Sequence, residues 1–217
     1  MDFTRVANQT SLDVHVVIGT AVRVVVTAEP TVMPLISTVV SNGVLTIGST
    51  RSFVTTLPGS VDVTLTQFAG AENSASANFT VVAPQTQGIA LANRGSGNLR
   101  FSGQAGAVTI DLSGSGSTTL TGSGASLTGT SGGSGTLDAT GFPVNGAALT
   151  MVGSGNANLT VHGNARLNLT GSGRIQAALD GGTADFALIG SGSIEWSGSS
   201  VVGTSSTVGS GSIVHRP

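Results

Sequence analysis

The 217-residue sequence predicts an all-β chain wound as a parallel β-helix, or solenoid, with about 19 residues in each coil. Three observations predict it. A tripeptide recurs at a fixed period, apolar residues alternate on both sides of it, and no segment of useful length has helical periodicity. The reading is one domain over 1–217, with residues 1–88 as a β-rich N-terminal cap or irregular first coils and residues 89–217 as the repeat coils.

The tripeptide is Gly-Ser-Gly. It stands at Gly95-Ser96-Gly97, Gly114-Ser115-Gly116, Gly133-Ser134-Gly135, Gly153-Ser154-Gly155, Gly171-Ser172-Gly173, Gly190-Ser191-Gly192 and Gly209-Ser210-Gly211, in steps of 19, 19, 20, 18, 19 and 19 residues. An eighth copy, Gly122-Ser123-Gly124, is off register and reads as incidental. Two and four residues before the first Gly stand pairs such as Ile110 and Leu112, Leu149 and Met151, Leu167 and Leu169, Phe186 and Leu188. Two after the second Gly stand Leu99, Leu137, Ile175, Ile194 and Ile213; four after it stand Phe101, Leu120, Leu159 and Trp196. Period-two alternation marks strands with one buried face. Glycines between them let the chain turn at a corner. Helical repeats run longer, at roughly 33–47 residues, and the Leu/Asn ladder of leucine-rich repeats is missing. In a solenoid the strands pair in parallel about 4.8 Å apart, seven coils rise about 30 Å, and the tripeptide serines form one column whose hydroxyls can hydrogen-bond along the axis.

The first 88 residues lack the tripeptide but are strongly β. Segments 12–18 and 21–27 alternate, with Gly19-Thr20 between them. Segments 35–40 and 44–47 flank Asn42-Gly43, a strong hairpin signal. Val61, Val63 and Leu65 mark another strand, and residues 69–78 read as a surface loop. A solenoid end exposes unpaired strands, which gives this region its expected role as a cover.

Composition first suggests disorder, since almost a third of the residues are Gly, Ser or Pro and only 8% are charged. The 39% hydrophobic content and small net charge of −2 oppose that reading, because disordered chains are poor in apolar residues and rich in net charge. All eight basic residues are scattered arginines, which leaves no electrostatic footprint for nucleic acid. With no Cys there is no disulfide framework or thiolate metal site, and no apolar run approaches the length of a membrane helix. The opening Met1-Asp2-Phe3-Thr4 lacks the basic-then-apolar pattern of a secretory signal.

The tripeptide register from Gly95 to Gly211, its apolar flanks and the segment Ser41-Asn42-Gly43-Val44-Leu45-Thr46-Ile47 are similar to the bacterial putative auto-transporter adhesin, head GIN domain family. The resemblance covers nearly the whole chain. It implies a right-handed β-helix, export to the periplasm or cell surface, and, by name, adhesion. Members of that family commonly carry Asp directly after the tripeptide. Here that place holds Asn98, Ser117, Thr136, Asn156, Arg174, Ser193 and Ser212, so an acidic face does not carry over.

Sites for chemistry are few. Gly129-Thr130-Ser131-Gly132-Gly133 matches the Gly-x-Ser-x-Gly nucleophile elbow, which requires a following helix that this sequence does not offer. Asp13 and His15 share a strand face, but His162 and His215 are remote, and a metal site wants three or four ligands. Gly132-Gly133-Ser134-Gly135-Thr136-Leu137-Asp138 approaches a calcium-solenoid repeat with its Asp one place late. Asp111 and Glu195 flank tripeptides in different coils and are the acids a carbohydrate-active β-helix enzyme would use. The expected function is a non-enzymatic envelope or surface module without cofactor or metal. It would contact glycan, cell-wall polymer or a surface protein through a polar solenoid face. The alternatives are that enzyme, or a structural spacer or self-assembling unit, with an oligomer left open.

Overall fold

Each coil of the chain lays one strand on either of two broad faces, and the sequence dictates which residues turn inward. The computed structural model describes residues 2–216. Its strands are β1 (Arg5–Asn8), β2 (Asp13–Ile18), β3 (Arg23–Thr27), β4 (Ile36–Ser41), β5 (Val44–Ser49), β6 (Ser60–Leu65), β7 (Gly70–Asn73), β8 (Phe79–Asn93), β9 (Leu99–Leu112), β10 (Ser117–Ser131), β11 (Thr136–Gly153), β12 (Asn156–Gly171), β13 (Arg174–Leu179), β14 (Thr183–Gly190), β15 (Ser193–Ser197), β16 (Val201–Val208) and β17 (Ser212–His215). The only helical turn among the described residues is a short 3-10 segment, Met33–Leu35.

From β7 onward the chain forms a solenoid of about 8 turns, with about 19 residues per coil. The long strands β8 to β12 each bend midway and so serve both faces. One face stacks the segments that follow the tripeptide: Leu99 lies beside Thr118, Leu137 beside Ala157, Ile175 beside Ile194, and Ile194 beside Ile213. The other stacks the segments that precede it, in the row Ile110, Gly129, Leu149, Leu167 and Phe186. All pairings from β7 to β17 are parallel. The inward residues form one continuous apolar core, with Leu99, Phe142, Leu167, Ile175 and Ile194 fully buried. The 20- and 18-residue steps compensate each other: the longer coil holds an irregularity between Ala139 and Val144 that lets Phe142 fold inward and meet Phe101 edge-on at 6.0 Å.

The first two coils are threaded out of order. β1 pairs with β7 on one side and with β5 on the other, and β2 lies likewise between β8 and β6. The coil made of β5 and β6 is therefore outermost, although β1 and β2 precede it in sequence. The outer edge is finished by reversed strands, β4 antiparallel to β5 and β3 antiparallel to β6. The Asn42-Gly43 signal sits at the β4–β5 turn, where Asn42 has φ 50° and Gly43 φ 74°, the left-handed pair such a tight turn requires. β2 and β3, neighbours in sequence, are held apart by β6. Val61, Val63 and Leu65 all face inward from β6.

Residues 69–78, expected as a surface loop, contain β7 instead. Its small residues allow close stacking: Ala71 lies beside Val6 and Asn73 beside Asn8, all four facing the core. Small side chains that read as loop composition are here the packing solution for a strand squeezed between two others.

Candidate functional site

The tripeptides stand at the junctions of consecutive strands, each stacked on the one of the coil below, and form one edge of the solenoid. Backbone N–H groups reach the coil below: Gly116 N donates to Gly95 O at 3.2 Å, Ser172 N to Gly153 O at 3.0 Å, Ser191 N to Gly171 O at 3.0 Å, and Gly211 N to Gly190 O at 2.9 Å. The glycines are demanded by this approach. A Cβ on Gly114 would stand 2.0 Å from Gly95 O, and one on Gly116 1.9 Å from Gly97 O. The same collision recurs at Gly133, Gly135, Gly153, Gly155, Gly173, Gly192 and Gly209. Backbone atoms cannot swing aside as a flexible side chain can, so a side chain here must separate the coils.

Between the glycines, Ser96, Ser115, Ser134, Ser154, Ser172, Ser191 and Ser210 are all exposed. Among the described residues these hydroxyls make no hydrogen bond with one another, so the axial chain expected from their stacking does not form; each remains free to donate and accept. Towards the C-terminal end the edge opens into a groove of about 490 Å³. Ser172, Ser191 and Ser210 line it with Asn156, Arg174, Ser193 and Ser212, and glycines such as Gly192 form its floor.

The structure gives the off-register copy a purpose. Gly122 lies at the opposite bend, where a Cβ would stand 1.8 Å from Gly103 O, and a Cβ on Gly124 would stand 2.6 Å from the Phe142 ring. A second set of residues escaped the sequence reading. Asn8, Asn73 and Asn93 stack inside the tripeptide edge in successive coils and are buried. Asn73 Nδ2 donates to Ala77 O at 2.9 Å, and Asn93 Nδ2 to Gly97 O at 3.0 Å and Ser117 O at 3.1 Å. The amides tie down the corner from within. The available signal was Asn93 two residues before Gly95, the place that later coils fill with Leu112, Ser131 and Met151.

The titratable residues are dispersed. Ser131 of the elbow motif is buried between Leu112 and Met151 at the end of β10, with no helix after it. Asp13 accepts from the Asn78 backbone N at 2.9 Å, and His15 is exposed. Asp138 accepts from Thr140, and His215 stacks on Trp196 at 4.0 Å. Asp180 accepts from Ser199 Oγ at 2.5 Å, and His162 stands 3.9 Å away on its other oxygen. That order puts the carboxylate in the middle, where a relay from Ser to base would need the imidazole. Among the described residues no three metal-ligating side chains converge.

Asp111 and Glu195 are not brought together. Asp111, on β9, accepts from Arg94 at 3.0 Å, and the same guanidinium reaches Glu72 at 3.1 Å. Glu195, on β15 of the other face, accepts from Arg216 Nε at 2.8 Å and lies 3.8 Å from Arg174. The Arg216 hydrogen bond holds the Glu195 carboxyl below its usual range. Two other carboxyls are lowered in the same sense, Glu29 by the Leu57 and Thr56 backbone N–H groups and Asp185 by Thr204.

A family model described as "Putative auto-transporter adhesin, head GIN domain" matches residues 2–166. Solved structures share the fold. A putative adhesin from Parabacteroides merdae is 17% identical with a TM-score of 0.81, and one from Parabacteroides distasonis is 19% identical with a TM-score of 0.80. A putative lipid binding protein from Parabacteroides distasonis is 18% identical with a TM-score of 0.61. Each match covers 100% of this chain and 93% of the other. No curated protein matches.

Proposed function

We propose, from the premise that this chain belongs to the putative auto-transporter adhesin, head GIN domain family, that it is a non-enzymatic module of the bacterial envelope or surface that holds a polar polymer along its tripeptide edge. One observation supports the reading: the exposed tripeptide serines of three successive coils, Ser172, Ser191 and Ser210, line a single groove with glycines between them, and parallel coils stack about 4.8 Å apart. An extended glycan or cell-wall strand offers hydroxyl and amide groups along its length, and a row of donors and acceptors meets it many times over. Each contact is weak and the sum is sufficient, because one strand engages several coils at once. The engagement of Asp111 and Glu195 with arginines on opposite faces supports the non-enzymatic part of the reading.

The test is co-sedimentation with insoluble peptidoglycan, together with a glycan array, for the protein and for the triple variant Ser172→Ala, Ser191→Ala, Ser210→Ala. The reading expects retention on at least one polymer and clear weakening in the variant, with unchanged thermal unfolding. Retention on none of them, or equal retention by the variant, contradicts it.

A further inference from the structure

Away from the tripeptide edge, the face carrying β1, β7, β8 and β9 holds a shallow dish of about 240 Å³. Its floor is made by small residues in adjacent strands. Gly70 and Ala90 are partners in one outward column, and Ala92 separates Glu72 from Asp111 in the next. Four of the chain's few charged side chains line it: Arg5, Glu72, Arg94 and Asp111.

The two guanidiniums are in different situations. Arg94 is clamped, donating to Glu72 Oε1 at 3.1 Å and to Asp111 Oδ2 at 3.0 Å. Arg5 has no carboxylate within 4.0 Å among the described residues, and its side chain is exposed. It lies over Gly70, where a Cβ would stand 3.1 Å from Arg5 Nε. Glycine is required at position 70 by the Ala90 carbonyl, 2.6 Å from where a Cβ would stand, and its bare backbone leaves room for the guanidinium above. The dish thus runs from an unneutralised planar donor, Arg5 on β1, to a fixed acceptor, Asp111 beside Thr109 on β9, with Glu72 on β7 along one side.

We infer that this dish binds a hexuronate residue, a sugar with a carboxylate at one end and hydroxyls elsewhere. A guanidinium matches a carboxylate with two parallel N–H···O bonds. Asp111, across the dish from Arg5, accepts from a sugar hydroxyl and would repel the carboxylate, which sets the orientation, while Glu72 accepts from a hydroxyl at the side. The flat floor of Ala90 and Ala92 suits the C–H face of a pyranose ring. The assignment rests on the glycan-binding reading above, and it adds a second, acid-specific site to it.

The test is calorimetric titration of the full chain with galacturonate, glucuronate and tetragalacturonate at millimolar concentration, and with the methyl ester of the tetramer. The acids bind, the ester does not, and Arg5→Gln weakens binding about tenfold or more, the usual scale for losing a charge-assisted pair. Ala92→Leu, which fills the floor and leaves Arg5 in place, also blocks it, whereas Arg23→Gln does not. Binding of the tetramer alone identifies a polymer as the source, and binding of a monomer as well identifies a single-residue ligand; both support the site. Lack of binding by every acid, equal binding of acid and ester, or indifference to Arg5→Gln overturns it. Peptidoglycan retention by Arg5→Gln is read separately: if it persists while the uronates fail, only the dish assignment falls.

Discussion

The two ends of the solenoid solve one problem in opposite ways. At the N-terminal end the chain doubles back, so its first coil is interior and its second is outermost. Antiparallel β3 and β4 then finish the edge, and the loops beyond them are stapled by Glu29, whose carboxylate accepts from Thr56 N at 2.5 Å and Leu57 N at 2.7 Å. At the C-terminal end nothing reverses: β16 and β17 pair on one side only among the described residues. There the core itself is ended. The inward columns that hold Phe186 and Leu188 continue as Ser205 and Thr207, and Trp196 is covered by His215. One end protects an apolar layer by covering it; the other lets the apolar layer run out. An open strand edge is an invitation to pair with another chain, and turning two inward columns polar at Ser205 and Thr207 weakens the drive to pair there.

The largest test of this contrast compares equivalent truncations in the two outermost coils. Leu65 in β6 is fully buried, whereas Ile213 in β17 is half-buried. Leu65→Ala is expected to cost about 2–5 kcal/mol, the range for a buried leucine. Ile213→Ala should cost about 1 kcal/mol. Urea unfolding measures both, and equal losses would erase the difference between the ends. Next in size, Ser205→Leu with Thr207→Leu restores the apolar columns at the open edge. Sedimentation should then show concentration-dependent association of the variant and a monomer for the parent; a monomeric variant would mean that the polar layer is not what protects the edge.

A smaller effect follows from pH. The folded Glu29 carboxyl lies below its ordinary value because the Leu57 and Thr56 N–H groups favour its charged form. The unfolded chain then binds protons more readily, so the staple stabilises fully above about pH 4.5 and is withdrawn as pH falls through the lowered value. The protection of the Thr56 and Leu57 amides, taken relative to their intrinsic exchange rate at each pH, should fall at low pH in the parent and should already be lost at neutral pH in Glu29→Gln. The smallest expected effect is at Val202, exposed in the open coil, where Val202→Ala should change stability by about 0.5 kcal/mol or less.

What the sequence revealed and what it concealed follow the same physics. The coil period was legible because only glycine tolerates a carbonyl about 2 Å from its missing Cβ, so the stacking contact is written at Gly114, Gly116 and their equivalents. The β4–β5 hairpin was legible because Asn42-Gly43 reports a backbone conformation directly. The threading of β1 and β2 between later strands was not, since pairing of Arg5 with both Val44 and Gly70 leaves no period to count. β7 was hidden by its small residues, and Gly122-Ser123-Gly124 by its place at the other bend. The charged dish was hidden too: Arg5, Glu72, Arg94 and Asp111 are scattered along more than a hundred residues and meet only through the coil register.

The most direct test is native-state hydrogen exchange on the intact chain. β1, paired on both sides within the stack, should be protected to the same degree as β10 and β11, while β16 and β17 exchange fastest of the solenoid strands. Rapid exchange of Val6, Ala7 and Asn8, at the rate of a terminal strand, would contradict the interior placement of the first coil and with it the account of how this solenoid is closed.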